Sequence, residues 1–226
     1  MKILVINGNP QKTGFVAGAL GILSSQLQTH GVEVQHLRLA DAKIADCMGC
    51  FHCLKTGQCV LTDDMDNIRQ SMLQADGFVV GSSVRNGLTT ACYKRFYERI
   101  TYTLGFPLLL EDKYTLAVSC AGYMGGKAAN KRLLGLQDVF HTRLSDFVFC
   151  SVGIPTKRQP ADIRQQLERA ADKLISDIQT RRPRRLLDRV LFAMDRTVMR
   201  KFMFEKNPEL YAHVIECWRK KGYLRS

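Results

Sequence analysis

Four cysteines lie within thirteen residues of this 226-residue chain, at Cys47, Cys50, Cys53 and Cys59. Spacings of two residues place successive thiolates on a tight loop, where they can face one point, as a tetrahedral zinc site or an iron–sulfur cluster requires. Structural zinc loops usually pair two C-x-x-C hooks across a longer gap. The spacing therefore favours a metal over free thiols packed as small apolar side chains, and a cluster over zinc.

Length and composition predict a protein of the reducing cytoplasm. A chain of this size buries a full core without disulfides, and no apolar run is long enough to span a bilayer. The first residues, Met1 to Ile6, predict a strand rather than a signal peptide. The four remaining cysteines are scattered, so we expect them to pack in the core: Cys92, Cys120, Cys150 and Cys217.

Charge divides the chain into two parts. Residues 181–226 hold 13 of the 33 basic residues and only 5 of the 21 acidic ones, so they carry 8 of the 12 net positive charges. The junction is Arg181-Arg-Pro-Arg-Arg185, where proline ends a helix and like charges repel. We therefore predict a domain over residues 1–180, with a cysteine loop at 44–60, and a basic helical extension over 181–226.

Short apolar runs alternate with amphipathic stretches along the first part, as in a parallel sheet covered by helices. The predicted strands are Lys2 to Ile6, Val32 to Leu37, Gly77 to Gly81, Tyr114 to Ser119 and Phe147 to Val152. The predicted helices are 15–29, 64–75, 89–103, 127–143 and 160–180. This order predicts a flavodoxin-like, doubly wound three-layer α/β fold, with ligands beyond the carboxyl ends of the strands.

The loop after the first strand, Asn7 to Gly14, leads into a helix N-terminus that can bind phosphate. It is neither a G-x-x-x-x-G-K-[ST] loop nor a G-x-G-x-x-G loop, which disfavours nucleotide hydrolysis and dinucleotide binding. A single phosphate remains, as on FMN. We find no Ser/His/Asp or Cys/His set, and we assign no acid–base catalytic residue.

These motifs together resemble those of the iron–sulfur flavoproteins, a branch of the flavodoxin-like NAD(P)H-dependent FMN reductases. Four pieces in order over residues 1 to about 180 carry the resemblance. They are Gly8-Asn-Pro-Gln-Lys-Thr-Gly14, similar to the family's G-S-P-R-K-x-G; the cysteine run; Leu61-Thr-Asp-Asp-Met65; and Gly81-Ser-Ser-Val-Arg-Asn-Gly-Leu88 with Lys94, Phe96 and Arg99, similar to G-[SA]-P-V-Y-x-G-N…K-x-F-x-[DE]-R.

The resemblance implies FMN contacts in three loops and a [4Fe–4S] cluster on the four cysteines of the loop. The implied FMN contacts are Asn9, Gln11, Lys12, Thr13, Gly14 and Val16 at the phosphate, Ser83, Val84, Arg85, Asn86, Gly87 and Leu88 along the ring, and Ala121, Gly122, Gly125 and Gly126 above it. This chain departs from the family pattern at three places. Gln11 stands where the family has an arginine, Phe15-Val16 replaces the N-T pair that opens the helix, and Arg85 replaces an aromatic residue. The first two departures predict weaker phosphate binding. Arg85, if it faces the flavin ring, would stabilise the reduced form of the flavin.

The expected function is an FMN-dependent oxidoreductase that passes electrons between a reduced donor and a small acceptor through FMN and the cluster. The donor is either an acidic carrier such as ferredoxin or NAD(P)H. Two alternatives stay open: a NAD(P)H-dependent FMN or quinone reductase without a cluster, and a non-catalytic redox or metal sensor.

The extension carries an apolar stripe at helical spacing, with basic residues on its flanks. Its members are Leu187, Val190, Leu191, Met194, Val198 and Phe202. We expect the stripe to pack at a subunit interface in a homodimer or homotetramer. The less favoured alternative is that it lies on an anionic membrane surface. Charge alone does not argue for nucleic-acid binding.

Overall fold

The computed structural model describes residues 1–122, 125–153 and 158–224. Its centre is a parallel sheet of five strands in the order β2-β1-β3-β4-β5. The strands are β1 (Lys2–Asn7), β2 (Glu33–Arg38), β3 (Gly77–Ser83), β4 (Tyr114–Ala121) and β5 (Arg143–Ser151). This is the flavodoxin strand order, and it confirms the doubly wound α/β fold.

The described part of the chain contains eight α-helices. They are α1 (Phe15–Thr29), α2 (His52–Thr56), α3 (Met65–Gln74), α4 (Ala91–Ile100), α5 (Lys127–Leu134), α6 (Arg164–Gln179), α7 (Leu186–Met199) and α8 (Ala212–Lys220). Helices α4 and α7 each continue into a π-helical turn, Thr101–Gly105 and Arg200–Phe204, and a 3₁₀ turn at Pro160–Ile163 precedes α6.

The two faces of the sheet bury alternate residues of each strand, as a period of two requires. On one face Ile3, Val5 and Val118 pack under α1 and α6, while on the other Leu4 and Ile6 pack under α3 and α4. Every residue of β4 is buried, as expected of an interior parallel strand with helices on both sides.

The structure corrects the boundary predicted between α5 and β5. The predicted helix over 127–143 ends at Leu134, and β5 begins at Arg143 rather than Phe147. Arg143 already pairs with Tyr114 of β4. β5 is an edge strand, and three of its first four residues, Arg143, Ser145 and Asp146, are polar, so they conceal a strand that an apolar run would have revealed.

The extension is a third core cluster rather than a separate arm. Phe192, Phe204 and Trp218 pack with Leu54 of the cysteine loop and with Leu108. The Trp218 indole donates a hydrogen bond to the Phe106 carbonyl at 2.8 Å. Within the described residues no helix is both long enough and apolar enough to cross a membrane.

Candidate cofactor site and cysteine loop

A cavity of about 450 Å³ lies at the carboxyl edge of the sheet. Its walls come from the segments that follow β1, β3, β4 and β5, which meet there because the strands are parallel. The lining residues are Asn9, Gln11, Gly14, Phe15, Val16, Ser83, Val84, Arg85, Cys120, Gly122, Val152, Gly153 and Gln159. The volume falls within the range of small-molecule and cofactor sites.

Helix α1 opens toward this cavity with its first amides uncapped. Its N-cap residue, Gly14, has a φ of 110° and supplies no side-chain hydrogen bond, and the first turn contains no acidic residue. The free N–H groups and the positive end of the helix dipole therefore favour an anion at this point. Gln11, Phe15 and Val16 line the cavity beside it.

The second loop is a tight turn at the sequence Asn-Gly. Arg85 and Leu88 exchange backbone hydrogen bonds at 2.7 and 3.0 Å, and both Asn86 and Gly87 have positive φ angles. This geometry is that of a type I′ turn, which favours Asn-Gly. Asn86, Gly87 and Leu88 do not line the cavity. The Ser83 hydroxyl donates to the Asn9 side chain at 3.0 Å and connects the two loops.

The third loop contributes Gly122 to the lining and braces the second loop. A Cβ at position 126 would lie 2.5 Å from the Gly87 carbonyl oxygen, so only glycine allows this close approach. The Asn130 side chain also bonds the Gly126 carbonyl at 2.7 Å. Ala121 ends β4 and Gly125 lies in the loop, and neither lines the cavity.

The structure thus brings half of the sixteen predicted FMN contacts to one cavity and places the rest beside it. Lys12 and Thr13 are exposed on the first loop, and the charge of Lys12 acts on Asp41, whose pKa is lowered mainly by its hydrogen bond from Arg38. Sequence reasoning missed Val152, Gly153 and Gln159, which follow β5 and carry no recognisable motif.

Two buried cysteines form the cavity floor and the layer behind it. Cys120 and Cys150 are register partners on β4 and β5. Burial raises the pKa of the Cys120 thiol to about 11, the neighbouring Cys150 adds to the rise, and the Arg85 guanidinium opposes it. A thiol with so high a pKa stays protonated at neutral pH, so Cys120 is a packing residue rather than a nucleophile.

The cysteine loop leaves the sheet after β2, at the same carboxyl edge as the cavity, and one arginine of α4 holds it. Arg99 pairs with Asp63 through both guanidinium nitrogens, at 2.5 and 3.1 Å, and donates to the Ala45 carbonyl at 2.8 Å. Its Nη2 also lies 3.5 Å from the Cys59 sulfur. The side chains of Arg99 and Asp63 are 2% and 9% exposed.

Asp63 has a second task in the same region. Its carboxylate accepts hydrogen bonds from the amides of Ala45, at 2.9 Å, and Met65, at 3.0 Å, so it bonds the first amide of α3 while it holds the start of the loop. Burial alone would raise the pKa of Asp63, but the bonds from Arg99 and the two amides outweigh burial and lower it. The carboxylate therefore stays charged.

The four thiols of the loop differ in exposure but influence one another. Cys50 is exposed, Cys47 and Cys59 are half-buried, and Cys53 is buried in the short helix α2. Burial, reinforced first by Cys59 and then by Cys47 and Cys50, raises the pKa of Cys53 to about 11. Among the described residues no three ligating side chains are arranged around a single metal ion.

The chemistry of this donor set nevertheless fits a cluster. Four thiols on one loop match the ligand count of a [4Fe–4S] cluster, in which each sulfur binds a different iron and the sulfurs therefore stand farther apart than around one ion. Burial first, and the neighbouring cysteines second, disfavour the Cys53 thiolate and raise its pKa, and a positively charged metal centre would offset that cost.

Helix α8 of the extension covers the cysteine loop. A Cβ at Gly57, the αL residue that ends α2, would lie 2.5 Å from the His213 ring. Phe51 of the loop also packs against Tyr102, edge-on with ring centroids 5.3 Å apart. The contact between α2 and α8 could not be predicted from the sequence, because Gly57 and His213 are more than 150 residues apart.

Comparison with known proteins identifies the family of this chain. The model of the NADPH-dependent FMN reductase family matches residues 1–144. A curated iron–sulfur flavoprotein of Archaeoglobus fulgidus is 34% identical over 114 residues, which are 50% of this chain and 51% of that protein. An iron–sulfur flavoprotein of Clostridioides difficile is 22% identical over 227 residues, covering 99% of this chain and all of that protein.

Solved structures share the fold. A flavone reductase superposes with a TM-score of 0.62 at 16% sequence identity, covering 79% of this chain and 63% of that one. Several of the curated relatives are matched over only about half of their length. The family match spans most of the chain and includes the first cavity loop, the cysteine run and the second cavity loop. This chain belongs to the flavodoxin-like NADPH-dependent FMN reductase family, and its curated relatives are iron–sulfur flavoproteins.

Proposed function

We propose that this protein is an FMN-dependent oxidoreductase that passes electrons from a reduced donor to a small acceptor. The observation that supports this best is the cavity at the carboxyl edge, entered by the uncapped N-terminus of α1. A phosphate at that terminus would leave the rest of the cavity, between Val84, Arg85 and Gly122, for the ring. Bound there, FMN would supply electron transfer in steps of one or two.

The residues of the chain have positioning roles in this proposal. The amides of Phe15 and Val16 and the amide side chain of Gln11 hold the phosphate. The type I′ turn after Arg85 fixes the edge of the ring pocket, and Arg85 places a positive charge beside it. Because Cys120 stays protonated, the floor of the pocket does not compete as a nucleophile or proton acceptor.

We further propose a [4Fe–4S] cluster on Cys47, Cys50, Cys53 and Cys59, with ferredoxin or NAD(P)H as the donor. The four-thiol loop, the Arg99 nitrogen beside Cys59 and the names of the curated relatives support this assignment. The second candidate is a NAD(P)H-dependent FMN or quinone reductase without a cluster. The match of residues 1–144 to the NADPH-dependent FMN reductase family supports that alternative.

Three variants test the FMN assignment. Gln11→Glu, which puts a negative charge beside the phosphate, should weaken FMN binding by about 1 to 3 kcal/mol, and Gln11→Arg should strengthen it. Gln165→Glu on the exposed start of α6 is the charge-matched control. FMN affinity is measured by fluorescence titration. Equal affinity in both Gln11 variants would contradict the assignment of the FMN phosphate to this loop.

The cluster has its own test. Cys50→Ser should abolish iron binding while FMN binding persists, because Cys50 is exposed and contributes nothing to the sheet. Cys92→Ser, on α4 and outside the cysteine loop, should retain both cofactors. Full iron content in Cys50→Ser would contradict the ligand assignment, and iron-free wild-type protein that still turns over would favour the second candidate.

A further inference from the structure

The outer face of α7 is apolar and exposed in the folded chain. Leu186 and Leu187 are 76% and 68% exposed, and the apolar residues that follow on the same face are Val190, Leu191, Met194, Val198 and Phe202, each between 44% and 60% exposed. The inner face of the helix is already used, because Phe192 and Met199 pack into the extension core. Contiguous apolar patches of this kind mark surfaces that bind a partner or a membrane.

A cationic groove adjoins this apolar face. It encloses about 710 Å³, and four arginines contribute to its walls: Arg143, Arg184, Arg189 and Arg196. Leu186 and Val190 belong to both the groove and the exposed face, so the two features form one surface. Of the two acids in the groove, Glu111 pairs with Lys221 at 3.0 Å and with Arg184 at 3.7 Å, which leaves three arginines facing Asp112.

The position of this surface separates it from the cofactor cavity. Glu111 and Asp112 lie just before β4, and Arg143 begins β5, so the groove sits at the amino ends of these strands. Phe192 of α7 also packs on His141, just before β5, with ring centroids 4.8 Å apart. The cavity lies at the carboxyl ends. A partner bound to α7 therefore leaves the mouth of the cavity accessible.

We propose that α7 and its groove bind an anionic lipid surface. The exposed apolar side chains enter the boundary between headgroups and acyl chains, and the groove arginines meet headgroup phosphates. Charge decides between a bilayer and a second copy of the chain. A second copy brings the same surplus of 8 positive charges on residues 181–226, whereas an anionic bilayer brings the opposite charge.

Vesicle flotation with the full-length chain tests this. We expect binding to vesicles of phosphatidylglycerol and phosphatidylcholine at least about tenfold stronger than to phosphatidylcholine alone, with a loss at high salt. Met194→Glu should reduce binding at least about tenfold, since it places a charge within the apolar face, while Gln165→Glu, with the same added charge on α6, should bind almost as wild type. Arg189→Glu should weaken binding more than Arg169→Glu, which changes the net charge equally on exposed α6.

Three results would overturn the proposal. Wild-type protein that ignores anionic vesicles at low salt does so directly. Equal binding of Met194→Glu and wild type places the contact elsewhere. A wild-type dimer in analytical ultracentrifugation that Met194→Glu dissociates, without vesicle binding by either protein, assigns this face to a second copy. Unchanged melting temperature and FMN content in each variant show that the fold and the cavity are intact.

Discussion

Arg99 is the residue whose replacement should most disturb the cysteine loop. It connects α4 to the loop through Asp63, the Ala45 carbonyl and the Cys59 sulfur. Arg99→Met keeps the length of the side chain and its apolar stem but leaves the nearly buried Asp63 carboxylate without its cation. Removing one partner of a buried ion pair typically costs 3 to 5 kcal/mol. Because two backbone amides still bond Asp63, we expect about 3 kcal/mol.

Urea unfolding of the wild type and variant measures this loss. Trp218 is the only tryptophan, and it packs in the cluster that includes Leu54 of the loop, so its fluorescence reports on the right region. Far-UV circular dichroism reports on the sheet and helices. The matched control is Arg95→Met on the same helix, which breaks the exposed pair with Asp46 at 2.6 Å. Exposed pairs contribute about 0 to 1 kcal/mol, so the control should remain close to wild type.

A loss in Arg99→Met no larger than that in Arg95→Met would refute this reasoning. The double variant Arg99→Met/Asp63→Leu provides a second check, because replacing both partners removes the unpaired charge and should recover part of the stability. Recovery will be incomplete, since a leucine side chain cannot accept the hydrogen bonds that the Ala45 and Met65 amides donate to Asp63.

Three further predictions concern other parts of the chain. Burial lowers the pKa of His141 from 6.5 to about 4, so the unfolded chain binds a proton in this range that the folded chain does not. The contribution of His141 to the free energy of unfolding should therefore be complete above about pH 6.5 and fall by at most about 3 kcal/mol toward pH 4. Urea unfolding at several pH values measures this profile. His141→Asn, whose side chain tolerates the φ of 52°, should flatten it. Gly49→Ala should cost roughly 1 kcal/mol, the strain of placing alanine in the αL conformation. Gly57→Ala should destabilise the extension by more than that, because it also drives a Cβ into the His213 ring. Equal unfolding midpoints of the two variants would contradict this. Lys12→Ala should weaken FMN binding by about 1 to 3 kcal/mol in a fluorescence titration, and unchanged affinity would show that the exposed lysine does not reach the phosphate.

Local patterns were sufficient to predict the sheet and the first cavity loop. Apolar runs revealed β1, β3 and β4, since these interior strands are buried on both faces, and the turn residues before Phe15 indicated the helix N-terminus. The edge strand β5 was placed four residues late because three of its first four residues, Arg143, Ser145 and Asp146, are polar. The short helix α2 escaped notice because its five residues are too few for a periodic signal.

Contacts between distant segments could not be predicted from the sequence. Arg99 and Cys59 are forty residues apart, and neither carries a signal for the other. Val152, Gly153 and Gln159 reach the cavity only because the parallel sheet brings the end of β5 to the same edge as that of β1. The extension was predicted as an appendage by its charge, whereas its inner face packs on the cysteine loop and only its outer face remains exposed.

Anaerobic purification of the full-length chain, followed by an optical spectrum and analysis of flavin, iron and zinc, tests the proposed function most directly. The geometry of the cavity and the four-thiol loop predicts about one FMN and about four irons per chain, with spectral bands of both flavin and cluster. Cys50→Ser in the same experiment should retain the flavin and lose the iron. Protein that contains stoichiometric zinc without iron, or that binds no FMN when FMN is supplied in excess, would contradict the account.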